Sequence, residues 1–188
     1  MPLNLPNLVT WLRIILIPLL IGIFYLPETW LSPGGRNVAA CVVFIVAGVS
    51  DWLDGYLARV LNQASAFGAF LDPVADKLIV VAALVVLLQL GRVEPLIALI
   101  IIGREIAISA LREWMAKLGQ SASVAVAFVG KVKTASQMVA IPLLLFHDEL
   151  FGVLSTQWLG TLLINAAAVL TVVSMLHYLR RALPHAAG

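Results

Sequence analysis

Six stretches of this chain are apolar for long enough to cross a lipid bilayer, at roughly 8–26, 37–58, 69–90, 94–116, 130–146 and 152–179. A crossing helix needs about 20 such residues. Any other open backbone arrangement would leave N–H and C=O groups unsatisfied in hydrocarbon, so runs of this length are helices. The pattern predicts an all-α integral membrane protein, a six-transmembrane-helix bundle. In a chain of 188 residues it leaves no room for a second unit, so 1–188 reads as a single membrane domain. Composition agrees: 62% of the residues are apolar and 12% charged, against about 45–50% and about 25% in soluble domains. A water-soluble globule and a disordered chain are thereby excluded, and the single Cys41 excludes a disulfide-stapled scaffold. A net charge of +2 without a basic block speaks against nucleic acid as a partner.

The runs are separated by turn chemistry: Pro27 and Ser32-Pro33-Gly34-Gly35, Gly91, Gly119 to Ser123, and His147-Asp148-Glu149. Pro18 and Pro142 fall inside spans, where neighbouring helices can satisfy the freed carbonyls. The first run has neither a basic leader nor a small-residue cleavage pattern, so it is expected to stay as a helix rather than be removed as a signal peptide. Basic residues then fix orientation. With a cytoplasmic N-terminus, Arg59, Arg112, Lys117, Lys131, Lys133, Arg180 and Arg181 fall on the cytoplasmic rim, and only Arg36 and Arg92 on the other. Both termini are therefore expected in the cytoplasm. Trp11, Trp30, Trp52, Trp114 and Trp158 lie near span ends, as interfacial anchors do.

Four of the ten acidic residues, Asp51, Asp54, Asp72 and Asp76, crowd into the end of the second span and the start of the third. A carboxylate deep in a bilayer costs about 2.5–3.5 kcal/mol even on a lenient scale, so four together need a reason. At about 100° per residue, Asp51 and Asp54 share one helix face, and so do Asp72 and Asp76. Antiparallel spans bring both pairs to the same rim. Four converging carboxylates repel one another, and Arg59 and Lys77 cannot balance them alone. A hard divalent metal can: all-oxygen donors suit Mg²⁺, Mn²⁺ or Ca²⁺, while His147, His177 and His185 are scattered. Gly55 and Ala58 keep the helix surface low beside Arg59, so that a bulky anion can approach a guanidinium. Gly68 and Ser65 stand just ahead of the second acidic pair. The ensemble reads as a phosphate-metal site.

Asp51-Trp-Leu-Asp54-Gly55-Tyr-Leu-Ala58-Arg59, eight residues, Gly68, three residues, Asp72, three residues and Asp76 match D-x2-D-G-x2-A-R-x8-G-x3-D-x3-D throughout. In this the chain resembles the CDP-alcohol phosphotransferase family. The likeness extends to Asn7-Leu-Val-Thr10-Trp-Leu-Arg13, Phe67 to Lys77, Arg104-Glu105, Ser109 to Met115 and Gly130-Lys-Val-Lys-Thr134. These flanks resemble the bacterial branch whose acceptor is sn-glycerol 3-phosphate. The resemblance implies transfer of the phosphatidyl group of CDP-diacylglycerol to that acceptor with release of CMP, a step toward phosphatidylglycerol and cardiolipin. It implies Asp51, Asp54, Asp72 and Asp76 as metal ligands, with two Mg²⁺ or Mn²⁺ ions, and Asp76 also as the catalytic base. It assigns Asn7, Thr10, Gly55, Ala58, Arg59, Ser65 and Gly68 to CDP-diacylglycerol binding. It also implies a homodimer in the bacterial inner membrane, with the active site facing the cytoplasm.

The acceptor carries its own phosphate and needs cations. Arg104, Arg112, Lys131 and Lys133, on the fourth and fifth spans, are the candidates, with Glu105 and Glu113 as pairing partners for the arginines. The motif handles only the shared CDP half. Family members using inositol phosphate, serine or phosphatidylglycerol are the near alternatives. Outside the class, a divalent-cation transporter would also place acids in a membrane, though at several depths rather than one rim. A structural or assembly protein of the membrane would not need the quartet at all.

Overall fold

The computed structural model describes residues 5–60, 66–117, 128–150 and 152–182, with backbone alone for 5–7, 54–60, 66, 67, 69, 112, 128–131 and 177–182. Six helices dominate: α1 (Leu5–Gly22), α2 (Pro33–Val60), α3 (Ala66–Gln89), α4 (Pro95–Lys117), α5 (Phe128–Phe146) and α6 (Thr156–Ala182). A 3-10 turn, Ile23–Tyr25, extends α1. Helix α1 packs on both α2 and α3, α2 on α5, and α6 lies along α5 and α4.

Helix ends follow local chemistry, and two of them revise the sequence reading. Ser32 to Gly35 was expected as a break, yet α2 begins at Pro33. Ser32 acts as the cap: its Oγ accepts the Gly35 amide at 3.2 Å, and proline is favoured in the first turn because its missing N–H is not needed there. The sixth span was expected from 152, but α6 starts at Thr156 after a short antiparallel hairpin, β1 (Glu149–Leu150) and β2 (Leu154–Ser155), paired Glu149 to Ser155 and Leu150 to Leu154. Apolar Val153 and Leu154 read as the start of a helix. What turns them back is backbone: Gly152 sits at φ +69°, and the Thr156 hydroxyl donates to the Asp148 carbonyl at 2.7 Å. The end of α3 is closed by Gly91 at φ +65°, with its amide on the Leu88 carbonyl and the Arg92 amide on that of Leu87. This pairing satisfies two carbonyls a helix end otherwise leaves open.

Three described segments combine the length and apolarity of membrane spans: Leu8–Tyr25, Pro33–Leu53 and Thr156–Leu176. Only 28%, 22% and 33% of these windows are buried, so most of their apolar surface faces outward, as a bilayer allows and water does not. Helices α3 and α4 have 24 and 23 residues but are interrupted by Asp72, Asp76 and Lys77, and by Arg104, Glu105 and Arg112. The chain is thus a helical membrane protein in which α3 and α4 carry charged residues along otherwise apolar helices. All five tryptophans are exposed. The apolar core, with Leu20, Phe44, Leu84, Leu87, Ile101, Ile141 and Leu144, fills the middle and one end of the bundle. The other end buries polar groups instead: Thr10, Arg13, Ser50, Arg104, Lys133 and Gln137.

Candidate active site

Helix α1 reaches both acidic helices with two residues one turn apart. Thr10 and Arg13, spaced i and i+3, share a face and are 1% and 0% exposed. The Thr10 hydroxyl donates to Asp72 Oδ1 at 2.6 Å. Arg13 Nη1 lies 3.0 Å from Asp51 Oδ1, whose side chain is 47% exposed. A first helix thereby fixes one carboxylate on α2 and one on α3, each by a single oxygen. Arg13 stood in the flank that carries the family resemblance but was given no role. Its signal was available: it is the sole charge in α1, and a lone arginine in a span demands an acidic partner.

Asp51 and Asp76 line one wall of a cleft of about 470 Å³, with Pro73 and Lys77. Arg104 and Glu105 from α4 and Thr134 and Gln137 from α5 form the other. Asp72 is turned toward Thr10 and does not line this space. Asp54, Gly55, Ala58 and Arg59 lie on the last turns of α2 and Asn7 on the first of α1, but their side chains are outside the described residues, as is Ser65 altogether. Gly68 is buried in the first turn of α3. Among the described residues no three His, Cys, Asp or Glu side chains close into a metal-binding group. The charged donors that reach the cleft are the carboxylates of Asp51, Asp76 and Glu105, with the oxygens of Thr134 and Gln137 beside them. Cys41 is buried in the apolar core and His147 stands at the opposite rim, so the predominantly oxygen set suits a hard cation.

On the basic wall, Glu105 gathers the charges. Arg104 Nη1 donates to its Oε1 at 2.9 Å, and Lys133 Nζ donates to the same oxygen from α5. The two cations are 8% and 0% exposed. Arg104 Nε is buried and finds no acceptor among the described residues. Lys133 does not line the cleft. Of the two glutamates expected to pair with arginines, Glu105 does so, whereas the described ion pair of Glu113 is with Lys117 at 2.9 Å on the exposed surface. Arg112 and Lys131 belong to α4 and α5, with side chains outside the described residues. Next to the cleft, α2 and α5 enclose an apolar groove of about 290 Å³ lined by Phe44, Ile45, Val49, Trp52, Pro142 and Met138. Met138 borders both spaces. A polar cleft and an apolar groove therefore adjoin.

A family model for CDP-alcohol phosphatidyltransferase matches residues 3–174. The chain is 50% identical over 184 residues to the CDP-diacylglycerol--glycerol-3-phosphate 3-phosphatidyltransferase of Escherichia coli (strain K12), covering 97% of this chain and 96% of that protein. The same figures hold for its namesake from Shigella flexneri serotype 5b (strain 8401).

Proposed function

Because the chain belongs to the CDP-alcohol phosphatidyltransferase family, we infer that it transfers the phosphatidyl group of CDP-diacylglycerol to sn-glycerol 3-phosphate, forming phosphatidylglycerophosphate and releasing CMP. Membership gives the reaction class; near-full-length likeness to enzymes named for this acceptor favours it over inositol phosphate, serine or phosphatidylglycerol. The observation that carries the reading is the cleft with Asp51 and Asp76 on one wall and Arg104 on the other, beside an apolar groove. A substrate with two negative phosphates, a polar acceptor and long acyl chains has a complementary surface for each part.

Asp51, Asp54, Asp72 and Asp76 would hold divalent metal, Mg²⁺ or Mn²⁺ and two ions in our reading. When bound, it neutralises the diphosphate and the charge growing on the leaving oxygen. The remaining steps belong to the chain. The acceptor's 1-hydroxyl oxygen attacks the β-phosphorus in line, and the bond to the CMP oxygen breaks. Asp76 takes the hydroxyl proton as the new bond forms, because an alcohol is too weak an acid to lose it beforehand. Arg104 holds the acceptor's phosphate, joined by Arg112 and Lys131 from the same helices. The guanidinium suits a phosphate through paired N–H groups. Gly55, Ala58, Arg59, Ser65 and Gly68, with Asn7 and Thr10, form the CDP half.

The same reading takes all six helices as crossings, puts both termini and the cleft on the cytoplasmic side of a bacterial inner membrane, and makes the active form a homodimer. Charge bias supports the orientation. CMP release by the purified protein is the direct test. It is expected only when CDP-diacylglycerol, sn-glycerol 3-phosphate and Mg²⁺ or Mn²⁺ are all present. Metal binding without turnover would favour a cation transporter, and turnover with a different alcohol would move the chain to another branch of the family.

A further inference from the structure

A carboxylate stands in the half of the cleft where a phosphorylated acceptor binds, and its sign is wrong for holding a phosphate. Glu105 lines that wall beside Arg104. Its Oε1 is taken by two cations, Arg104 Nη1 at 2.9 Å and the Lys133 ammonium. No described residue donates a hydrogen bond to its Oε2, and the side chain keeps 23% of its surface open. The cations are more deeply placed than the acid they serve, at 8% and 0% exposed; Glu105 and Arg104 line the cleft. Lys133 is wholly enclosed and does not line the cleft.

A carboxylate between two cations presents only acceptor lone pairs, and the ligand group that complements an acceptor is a hydroxyl. We propose that Glu105 is a specificity-determining residue that accepts a hydrogen bond from the acceptor's non-reacting hydroxyl through Oε2, with Lys133 serving as its buried counter-ion. The proposal rests on sn-glycerol 3-phosphate being the acceptor. That molecule carries three recognisable groups, and the cleft holds a partner for each. Asp76 meets the reacting hydroxyl and Glu105 the central one. Arg104 Nε, buried without an acceptor among the described residues, meets a phosphate oxygen. A site built to bond a hydroxyl discriminates against an analogue lacking it, because the polar group facing it is then left dry and unpaired.

The test compares kcat/KM for sn-glycerol 3-phosphate and for propane-1,3-diol monophosphate, which lacks only the central hydroxyl, using the full-length purified enzyme with CDP-diacylglycerol and metal. The unaltered protein should prefer the natural acceptor by about ten- to a hundredfold, the effect of one hydrogen bond to a charged group. Glu105→Gln leaves an oxygen for the cations and turns an NH₂ toward the cleft. It should cut the preference about tenfold by slowing the glycerol phosphate reaction alone, with KM for CDP-diacylglycerol unchanged. Glu105→Asp, which keeps the charge but withdraws it, should do the same and serves if the glutamine variant does not fold. Equal losses on both acceptors, or no preference in the unaltered protein, would overturn the proposal. Turnover of neither acceptor would overturn the assignment of glycerol phosphate itself.

Discussion

Arg13 carries a full charge with none of its surface open to solvent, and the carboxylate that balances it is itself a proposed metal ligand. The guanidinium therefore does two things at once: it gains a counter-charge within the bundle and holds Asp51 in one orientation. Thr10 does the same for Asp72 without a charge. Groups that orient a ligand from behind commonly cost ten- to a hundredfold in metal affinity when removed. Arg13→Gln and Thr10→Val are each expected to weaken Mn²⁺ binding by roughly that factor, read by paramagnetic titration of the purified protein without substrate. Unchanged affinity would reduce both residues to packing. The two aspartate pairs were legible because residue type and spacing along each helix are properties of the sequence. Arg13 to Asp51, and Glu105 to Lys133, were not, because each joins two helices whose rotation about their own axes no local pattern records.

Two contacts between elements set how the bundle closes at the rim away from the cleft. Helices α5 and α6 pack tightly where Gly160 faces Leu144. A Cβ added at Gly160 would lie 2.8 Å from Leu144 Cγ and 3.2 Å from its backbone nitrogen. Gly160→Ala must push the helices apart. A loss of about 1–3 kcal/mol is expected from overpacking, seen as a lower thermal midpoint in detergent. Next to this seam, Arg92 donates to the Leu144 and Leu145 carbonyls at the end of α5 and to Asn37 on α2. His147 follows directly, at φ 51°, and its pKa is held below the usual histidine value, first by burial, then by the Arg92 charge, against the opposing pull of Asp148. A histidine depressed in the folded state favours the neutral ring there. Its contribution to stability is complete above the unfolded value of about 6.5 and is lost as pH falls from there toward the folded value. The thermal midpoint should drop between pH 7 and pH 5, and His147→Asn, which tolerates the left-handed backbone, should flatten that drop. An identical pH profile in the variant would clear His147 of the effect.

For the whole molecule, the proposed orientation in the membrane rests on where the cations lie, and it can be tested directly. With the buried Cys41 replaced, a single cysteine at Glu28 should react with an impermeant maleimide in intact cells, whereas one at the exposed Lys117 should react only after permeabilisation. The reverse pattern would invert the bundle and overturn the proposed cytoplasmic placing of the cleft. By itself the sequence determined the membrane character, the helices and the acidic motif, because hydrophobic run length and residue spacing act along the chain and need no partner. It did not determine the hairpin before α6, which depends on a glycine backbone angle and a threonine clamp closing eight residues apart. Nor could it decide which basic residue meets the cleft. Arg104 and Lys133 look alike as cations in neighbouring spans, and only tertiary packing turns one to the cleft and encloses the other, paired with Glu105. The physical reason is that burial and ion pairing between helices depend on distance in space, while the sequence specifies distance along the chain.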